Sequence, residues 1–323
     1  MLEDLENRIF TISSEDEFAQ LALDIFQYQY TNVPVYRDYV NQLGKEHPKE
    51  LVEIPFLPIS FFKSHVVKDD QYPTQVTFKS SGTDGERSQH HVVNTNLYEK
   101  SFNQSYDRLI GNPKEQVILA LLPNYLEQGE SSLVYMVDHL IKRTDNSISG
   151  FVLDDMQSLV TRHEEALSQN KQVVIFGVSY ALLDLCDLKP DLSQAIIIET
   201  GGMKGRRKEI TKSELHGTLK SGLNCSSISS EYGMTELLSQ GYSTHEGVFE
   251  LSSTMKILIR EVNDPFSYTK DSKMGGVNII DLANLYSCAF IETQDLGKIS
   301  EKGFEIMGRF DNSDIRGCNL LME

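Results

Sequence analysis

The sequence predicts an α/β protein with a parallel, doubly wound sheet region and an additional antiparallel or barrel-like β portion. From Gln116 to about residue 233, short apolar runs alternate with segments of helical periodicity. The runs lack the apolar–polar alternation of half-buried strands, as expected when helices cover both faces of a parallel sheet. Beyond about Phe249 the helical segments stop, and short strand patterns separated by turn residues follow.

The N-terminal third is predicted to contain an amphipathic helix. Ser14 and Glu17 have the spacing of a capping box, in which a hydroxyl and a carboxylate satisfy free N–H groups at the start of a helix. Several prolines after the helix then break the chain into short pieces before residue 60. The predicted buried stripe of the helix is Phe18, Leu21, Ala22, Ile25 and Phe26.

The rest of the chain is assigned from its apolar runs. Predicted strands in the central part are 117–122, 149–155, 173–178, 195–200 and 225–233. Predicted helices between them are 131–142, 155–169, 179–186 and 208–220. Predicted strands of the C-terminal part, which we expect to pack beside the parallel sheet, are 255–262, 276–282, 288–293 and 304–309.

A length of 323 residues permits one large domain or two modest ones. We predict a large domain, 1–307, followed by a hinge and short C-terminal tail, 308–323. The large domain divides into an N-terminal helical segment, 1–70, an α/β core, 71–248, and a β-rich portion, 249–307.

Composition narrows the functional class. The formal net charge of −17 argues against a nucleic-acid partner, since the one basic run is 204–208. No apolar run approaches the ~18 residues of a membrane span, and the N-terminus is acidic, so a cytoplasmic protein is expected. Four widely spaced cysteines form no metal or redox motif and are interpreted as reduced thiols: Cys186, Cys225, Cys288 and Cys318.

A flexible, hydroxyl-rich loop is the first candidate site. Its backbone N–H groups and hydroxyls suit a phosphate, although the loop lacks the G-K-[ST] ending of a Walker A motif. His90 and His91 follow the loop without an evident partner and are assigned no role. The loop residues are Ser80, Ser81, Gly82, Thr83 and Gly85.

Two further candidate sites directly follow predicted strands, where ligands of parallel sheets bind. The first is a glycine pair that lets a ligand approach the backbone, Gly201 and Gly202. The second combines an aromatic ring, a glycine turn, a hydroxyl and a carboxylate, which suit a base, a phosphate and Mg²⁺. Its residues are Tyr232, Gly233, Thr235 and Glu236.

The order of these segments resembles the blocks of the adenylate-forming enzymes, the superfamily of acyl-CoA synthetases, luciferases and peptide-synthetase adenylation domains. The resemblance covers residues from about 78 to 317. YGMTE and GRFDNSDIRG are its most specific parts. The blocks are SSGTDGE at 80–86, the glycine pair, YGMTE at 232–236, ETQDLG at 292–297 and GRFDNSDIRG at 308–317.

The resemblance implies ATP and Mg²⁺ as cofactors. The loop would close on the β- and γ-phosphates, the glycine pair would lie against the adenine, and Tyr232 with Gly233 would flank it. Thr235 would contact the α-phosphate, and Glu236 would hold Mg²⁺. Lys204 and Met234 lie in the same blocks and are included among the nucleotide-binding residues.

The C-terminal blocks imply contacts to the ribose. Asp295 matches the aspartate that binds the ribose hydroxyls, and Arg309 matches the ribose-contacting arginine. Asp311 matches the hinge that precedes a mobile C-terminal domain. The sequence ends a few residues later and contains no counterpart of that domain's catalytic lysine. The expected fold is therefore the large domain of an adenylate-forming enzyme with a truncated C-terminal domain.

A narrower resemblance is to the acyl-protein synthetases of luminescence fatty acid reductase complexes. It is carried by FLPISFFKS, GGMKGRRK and the ending DIRGCNLLME, which places Cys318 at the acyl-accepting position. It implies an enzyme that activates a fatty acid as acyl-AMP, transfers the acyl group to Cys318 and passes it to an acyl reductase or carrier protein. The catalytic residues would be Thr235, Glu236 and Cys318.

Two alternatives remain open at the level of sequence. The first is an acid:CoA ligase of the phenylacetate type, which would use free coenzyme A as the acceptor. The second is an inactive nucleotide- or acyl-binding interaction protein, which the missing lysine permits.

Overall fold

The computed structural model describes residues 2–81, 87–122, 130–152, 155–201, 210–245, 247–269 and 273–310. The α-helices in these ranges are α1 (Leu2–Ile9), α2 (Glu15–Asn32), α3 (Pro34–Leu43), α4 (Phe61–Ser64), α5 (Thr95–Leu109), α6 (Ser132–Thr144), α7 (Met156–Ser168), α8 (Ser179–Leu185) and α9 (Lys212–Gly222). None of them combines the length and the hydrophobicity needed to cross a membrane.

The strands form one large sheet and one small hairpin sheet. The first seven strands are β1 (Leu57–Pro58), β2 (Val76–Lys79), β3 (Gln89–Val92), β4 (Gln116–Leu121), β5 (Gly150–Phe151), β6 (Gln172–Gly177) and β7 (Ala195–Glu199). The others are β8 (Ser229–Tyr232), β9 (Gly241–His245), β10 (Val248–Leu251), β11 (Met255–Arg260), β12 (Gly275–Asp281), β13 (Phe290–Ser300) and β14 (Gly303–Arg309).

The predicted N-terminal helix is confirmed as α2. Ser14 Oγ accepts a hydrogen bond from the Glu17 backbone N at 3.2 Å, while the Glu17 carboxylate accepts from the Ser13 backbone N at 2.8 Å. The predicted stripe is buried throughout. Burial of this stripe fixes α2 against the core, where Phe26 meets Phe290 of β13 with ring centroids 6.3 Å apart.

The predicted strand–helix alternation is confirmed between β4 and β8. Strands β5, β4, β6, β7 and β8 are parallel neighbours, and every residue of β4 is buried, as expected for a strand covered on both faces. Helix α9 begins at Lys212 rather than at the predicted residue 208. The reason is a capping box in which Thr211 and Glu214 satisfy each other's backbone N–H groups.

The antiparallel part is a continuation of the parallel sheet, which corrects the expectation that it packs beside it. Strand β9 pairs antiparallel with β8, and the sheet continues through β10, β14, β13 and β12 to β11. A parallel edge strand has free backbone N–H and C=O groups, and β9 pairs with those of β8. The carboxyl end of β8 therefore lies in the same sheet as β13 and β14.

Several elements were not predicted from the sequence. Helix α5 was missed because its buried face includes Ser101 and Ser105, so its apolar stripe is interrupted. Strand β9 was missed for a similar reason, since Ser243 is fully buried within it. Strands β2 and β3 form a hairpin in which Phe78 pairs with His90 and Lys79 pairs with Gln89, so the glycine loop connects the two strands.

Candidate active site

Three predicted site residues meet at the junction of the parallel and antiparallel regions. Tyr232, the last residue of β8, donates a hydrogen bond from Oη to Asp295 Oδ2 at 2.9 Å. Arg309 Nε donates to Asp295 Oδ1 at 2.8 Å. Asp295 and Arg309 oppose each other across β13 and β14, while Asp295 and Tyr232 are 63 residues apart in the chain. Sheet pairing thus brings the two ribose candidates beside the adenine candidate.

The Tyr232 ring is held by two phenylalanines. Its centroid lies 5.7 Å from that of Phe249 and 5.7 Å from that of Phe304. Asp295 is 4% exposed. One of its oxygens accepts a charge-assisted hydrogen bond from Arg309, and the other accepts a hydrogen bond from the Tyr232 phenol. The Arg309 side chain is 59% exposed and remains accessible to a ligand.

The base of the glycine loop lies beside Glu236. The Ser80 backbone N donates to Ser88 O at 3.0 Å, and the Ser88 backbone N donates to Ser80 Oγ at 3.0 Å, so these residues extend the hairpin. The Ser88 side chain in turn lies close enough to the Glu236 carboxylate to lower its pKa. The predicted loop residues Gly82, Thr83 and Gly85 lie outside the described residues.

Glu236 is a buried carboxylate, with 4% of its surface exposed. Burial raises its pKa above the ordinary value, and the hydrogen bond from Ser88 and the charges of Arg309 and Lys63 oppose that shift. A carboxylate held in this way is suited to a cation that arrives with the ligand, since a nearby positive charge favours its ionised form.

A buried histidine, to which the sequence assigned no role, holds the segment between Tyr232 and Glu236. His90 is 1% exposed, and its Nδ1 donates to the Thr235 carbonyl oxygen at 2.9 Å. Its Nε2 lies 3.0 Å from Asn284 Oδ1, and Asn284 Nδ2 donates to the Glu236 carbonyl oxygen at 2.7 Å. Burial lowers the pKa of His90 to about 4, and the hydrogen bonds to Thr235 and Asn284 oppose it. His90 therefore positions the backbone of two predicted catalytic residues.

Glu199, at the end of β7, is a site residue that sequence reasoning missed. Its carboxylate accepts from the Gly201 backbone N at 2.7 Å and from Ser230 Oγ at 3.2 Å. Burial alone would raise its pKa, but the hydrogen bond with His216, the charge of Lys212 and further donors lower the pKa to about 2. The sequence could have indicated it, because Glu199 is a carboxylate at the end of a predicted buried strand.

The bond from Glu199 fixes the turn at Gly201. Gly201 has a φ of 79°, in the left-handed region that favours glycine, and a Cβ there would meet no atom of the described residues within 4 Å. This backbone conformation suits the close approach of a planar group. Gly202 and Lys204 lie outside the described residues.

Two cations at the base of the loop were also missed. Lys79 Nζ lies 2.5 Å from Glu130 Oε1, and Arg87 NH1 lies 3.4 Å from Glu130 Oε2. Arg87 Nε also donates to the Ser80 carbonyl oxygen at 2.5 Å. They flank the loop that sequence analysis assigned to phosphate.

A cleft with an open volume of about 580 Å³ lies next to this segment. We call it the Glu231 cleft, after the residue that precedes Tyr232 in β8. Ser81, Met234 and Thr235, all predicted site residues, contribute to its wall. The full lining is Lys79, Ser81, Tyr98, Ser131, Ser132, Leu133, Met136, Thr200, Glu231, Gly233, Met234, Thr235 and Gln240.

The raised pKa of Glu231 can be tested through the pH dependence of stability. Burial and the negative charge of Glu199 raise the pKa of Glu231 to about 8, while Lys212 opposes the shift. A carboxyl whose folded pKa is raised stabilises the fold below its unfolded pKa of about 4.5, and this contribution is lost as pH rises through about 8. Between these pH values, we expect the free energy of unfolding of wild type to fall by about 1–2 kcal/mol relative to Glu231→Gln, a value reduced by solvent in the open cleft.

Urea unfolding of both proteins across this pH range measures the difference. Glu165→Gln, at an exposed position of α7, serves as the matched control. A constant difference between wild type and Glu231→Gln at all pH values would contradict the raised pKa.

The family model described as acyl-protein synthetase, LuxE, matches residues 5–323. The chain belongs to the acyl-protein synthetase (LuxE) family. The resemblance seen in the motifs is thereby confirmed. Among curated proteins, no significant match was found.

Solved structures show that this acyl-protein synthetase family member has the fold of adenylate-forming ligases. ATP-bound MatB from Rhodopseudomonas palustris matches with a TM-score of 0.55 and 15% identity over 75% of this chain and 48% of MatB. An open conformation of 2-hydroxyisobutyryl-CoA ligase in complex with 2-HIB-AMP and CoA matches with a TM-score of 0.64 and 11% identity, over 92% of this chain and 71% of the ligase. The chain spans about half the length of the MatB structures that it matches.

The predicted fold class is confirmed by these matches and by the single large α/β sheet. Family and fold also agree with the expected enzyme class, an AMP-forming acid–thiol ligase. The domain bounds remain predictions, with residues 308 and 309 forming the end of β14. Asp311 and Cys318 lie outside the described residues.

Proposed function

We propose that this acyl-protein synthetase family member activates a carboxylic acid with ATP, forming acyl-AMP and pyrophosphate. The observation that carries the proposal is the convergence of Tyr232, Asp295 and Arg309 at one sheet junction, with Glu236 beside the base of the glycine loop. These residues come from three separate sequence blocks, and the glycine loop is a fourth. Their convergence matches one ligand that has a base, a ribose and phosphates.

The described residues fit an adenosine nucleotide. Tyr232 places an aromatic residue at this junction, and Gly201 leaves space above its backbone among the described residues. The carboxylate of Asp295, held by Arg309 and Tyr232, is suited to accept hydrogen bonds from ribose hydroxyls. Lys79 and Arg87 add positive charge near the loop proposed to bind phosphates.

Magnesium fits in a more limited way. Among the described residues, no group of three or more His, Cys, Asp or Glu side chains could hold a metal ion. Magnesium, however, often binds through one or two carboxylates together with the phosphates of a substrate. Glu236 is the carboxylate proposed for this, and the ion when bound would offset charge on the departing pyrophosphate.

The chain's own groups then position the reaction. The acid enters the Glu231 cleft, whose wall includes Thr235, so that its carboxylate approaches the α-phosphorus. Thr235 donates a hydrogen bond to the α-phosphate, and His90 holds the Thr235 backbone in place. The bond that forms joins the carboxylate oxygen to phosphorus, and the bond that breaks releases pyrophosphate.

We further propose that the acyl group passes to Cys318 as a thioester and then to a partner protein, an acyl reductase or a carrier. Support comes from family membership, since the family match extends to residue 323. The thioester conserves the free energy of activation for transfer. A fatty acid is the proposed acid, and the cytoplasm is the proposed location because the reaction consumes ATP.

Exchange of labelled pyrophosphate into ATP tests the activation step. We expect exchange that depends on an added carboxylic acid, measured over a panel of acids that differ in chain length. Absence of acid-dependent exchange for every acid, with the protein folded and binding ATP, would favour the inactive binding protein.

The nucleotide assignment predicts the effect of Asp295→Ala. Loss of the carboxylate should weaken ATP binding by roughly 1.5–3 kcal/mol, the range for hydrogen bonds to charged groups. Titration calorimetry with ATP measures this, with Asp295→Asn as the variant that preserves side-chain shape. Asp38→Ala, at an exposed position of α3, is the matched control. Unchanged ATP affinity in Asp295→Ala would remove Asp295 from the nucleotide site.

A further inference from the structure

The part of the chain that carries Glu236 lies outside the helices and strands. Residues 233–240 connect β8 to β9 through turns and irregular backbone. One turn bond lies within this connection, from the Leu237 backbone N to the Met234 carbonyl oxygen at 3.1 Å. Regular secondary structure therefore does not fix Glu236, and its placement depends on side chains from other parts of the fold. We call residues 235–239 the Glu236 segment.

The loop that connects β12 to β13, residues 282–289, supplies one of these side chains. Asn284 Nδ2 donates a hydrogen bond to the Glu236 carbonyl oxygen at 2.7 Å. The Oδ1 atom of the same amide lies 3.0 Å from Nε2 of His90, whose other ring nitrogen is bonded to the Thr235 carbonyl oxygen. A single buried amide thus links the backbone of both proposed catalytic residues to the β12–β13 loop.

Asp281, the last residue of β12, holds the other end of the Glu236 segment. Its Oδ2 accepts from the backbone N of Leu238 at 2.7 Å and of Ser239 at 3.1 Å, and its Oδ1 accepts from Ser239 Oγ at 2.6 Å. The side chain is fully buried. Burial raises the pKa of Asp281 to about 6, while the hydrogen bonds from Ser239 and Leu238 oppose the shift. At neutral pH the carboxylate is therefore ionised and can accept all three bonds.

The β12–β13 loop is in turn tied to helix α2. Gln29 Nε2 donates to the carbonyl oxygens of Asn284 and Leu285, each at 2.9 Å, and Gln29 Oε1 accepts from the Ala289 backbone N at 3.0 Å. Gln29 is fully buried and lies 255 residues from Asn284 in the chain. A buried amide costs free energy unless it is hydrogen-bonded, and here both of its polar atoms are bonded to the loop. The N-terminal helices therefore hold the loop that holds the Glu236 segment.

We propose that Asn284 and Asp281 are positioning residues for acid activation and that Gln29 anchors them to α2. This inference rests on the proposed acid activation and gives the N-terminal helices a role in the reaction. The two residues act through Thr235 and Glu236, whose backbone they hold, and need no contact with the ligand. Placement of such groups matters because a displacement of about 1 Å can cost on the order of 100-fold in rate.

Acid-dependent pyrophosphate exchange by Asn284→Ala tests the proposal, with ATP varied at saturating Mg²⁺ and acid. We expect kcat to fall about 10- to 100-fold, the range for groups that orient metal ligands. KM for ATP should stay within about two-fold of wild type, because Asn284 bonds to Glu236 and His90 rather than to the base and ribose candidates.

Ser287→Ala is the matched control, since Ser287 lies in the same loop and is also buried. This variant removes the hydrogen bond from Ser287 Oγ to the Val67 carbonyl oxygen at 2.6 Å, which does not involve the Glu236 segment. Its exchange activity should equal that of wild type.

A Glu236→Gln background shows whether Asn284 acts through the Glu236 segment. Residues that act as a unit have non-additive effects, so a second loss costs little once the first has occurred. Asn284→Ala should therefore change the residual exchange of Glu236→Gln by about three-fold or less. A general loss of stability would instead lower exchange by the same factor in both backgrounds, and urea unfolding of each variant measures it.

Two further variants test the rest of the arrangement. Asp281→Asn keeps the shape of the side chain but places an amide N–H group against the donors of Leu238 and Ser239, so we expect the same fall in kcat. Gln29→Leu should lower kcat by a smaller factor, roughly three-fold or more, because it acts through the loop.

The outcomes separate this inference from the function on which it rests. A kcat like that of Ser287→Ala in both Asn284→Ala and Asp281→Asn overturns the inference and leaves acid activation standing. An equal loss from Asn284→Ala in the wild-type and Glu236→Gln backgrounds does the same. No exchange by wild type with any acid overturns acid activation itself, and the inference with it. If Asn284→Ala fails to fold, Asp281→Asn carries the same test.

Discussion

Replacing Glu236 with alanine should lower acid-dependent ATP/pyrophosphate exchange on the order of 100- to 1,000-fold, the range for loss of a group that stabilises transition-state charge. Glu236 is 4% exposed, and its carboxylate lies near Ser88 at the base of the glycine loop. Removing it would take away the carboxylate proposed to hold Mg²⁺ against the phosphates. The same experiment over a range of Mg²⁺ concentrations should show a raised requirement in the variant.

The fold should persist in Glu236→Ala, because burial already disfavours the charged carboxylate. Thermal unfolding checks this, and Glu236→Gln offers a variant of matched shape. Glu164→Ala, at an exposed position of α7, should behave like wild type. Exchange by Glu236→Ala within about two-fold of wild type would exclude Glu236 from the site, given the size expected for such a group.

Replacing Cys318 with serine should abolish covalent acylation while pyrophosphate exchange continues. Wild type incubated with ATP, Mg²⁺ and a labelled acid that supports exchange should acquire a label that hydroxylamine releases, as expected of a thioester. Serine keeps the size of the side chain, but its hydroxyl is a far weaker nucleophile than a thiolate. The two readouts separate activation from transfer.

Cys225→Ser is the matched control, since Cys225 is a partly buried free cysteine that precedes β8, whereas Tyr232 ends that strand. It should be labelled like wild type. Labelling that persists in Cys318→Ser would show a different acceptor. Efficient transfer to free coenzyme A by a wild type that is never labelled would replace the acyl-protein synthetase assignment with the acid:CoA ligase.

The sequence by itself determined the order of the central elements. In β4, β6 and β7, uninterrupted apolar runs signal burial on both faces, a property visible in the residues themselves. It also identified the block that contains Tyr232 and Glu236, because an aromatic ring, a glycine turn, a hydroxyl and a carboxylate directly follow a predicted strand there. The blocks of Asp295 and Arg309 were identified by their resemblance to the adenylate-forming enzymes. These patterns involve residues that are close in sequence, so they can be recognised without knowledge of the tertiary structure.

Helices and strands that bury polar side chains were harder to predict from the sequence, as were the ends of several elements. Helix α5 and strand β9 bury serines, so their patterns do not reveal a core face. Their burial is tolerated because other parts of the chain supply partners, as Ser239 Oγ does for Ser101 Oγ at 3.0 Å. Such compensation across 138 residues is a tertiary property.

Only the tertiary structure decided which site residues share a ligand. Pairing of β13 with β14 brings Asp295 opposite Arg309, and continuity of the sheet through β8 and β9 brings Tyr232 to the same carboxylate. Glu199, His90 and Glu231 entered the site in the same way, through hydrogen bonds and strand-face alternation that no local pattern encodes. The physical reason is that a residue's chemistry is set by its identity, whereas its burial, charge state and partners are set by chain segments far away in sequence.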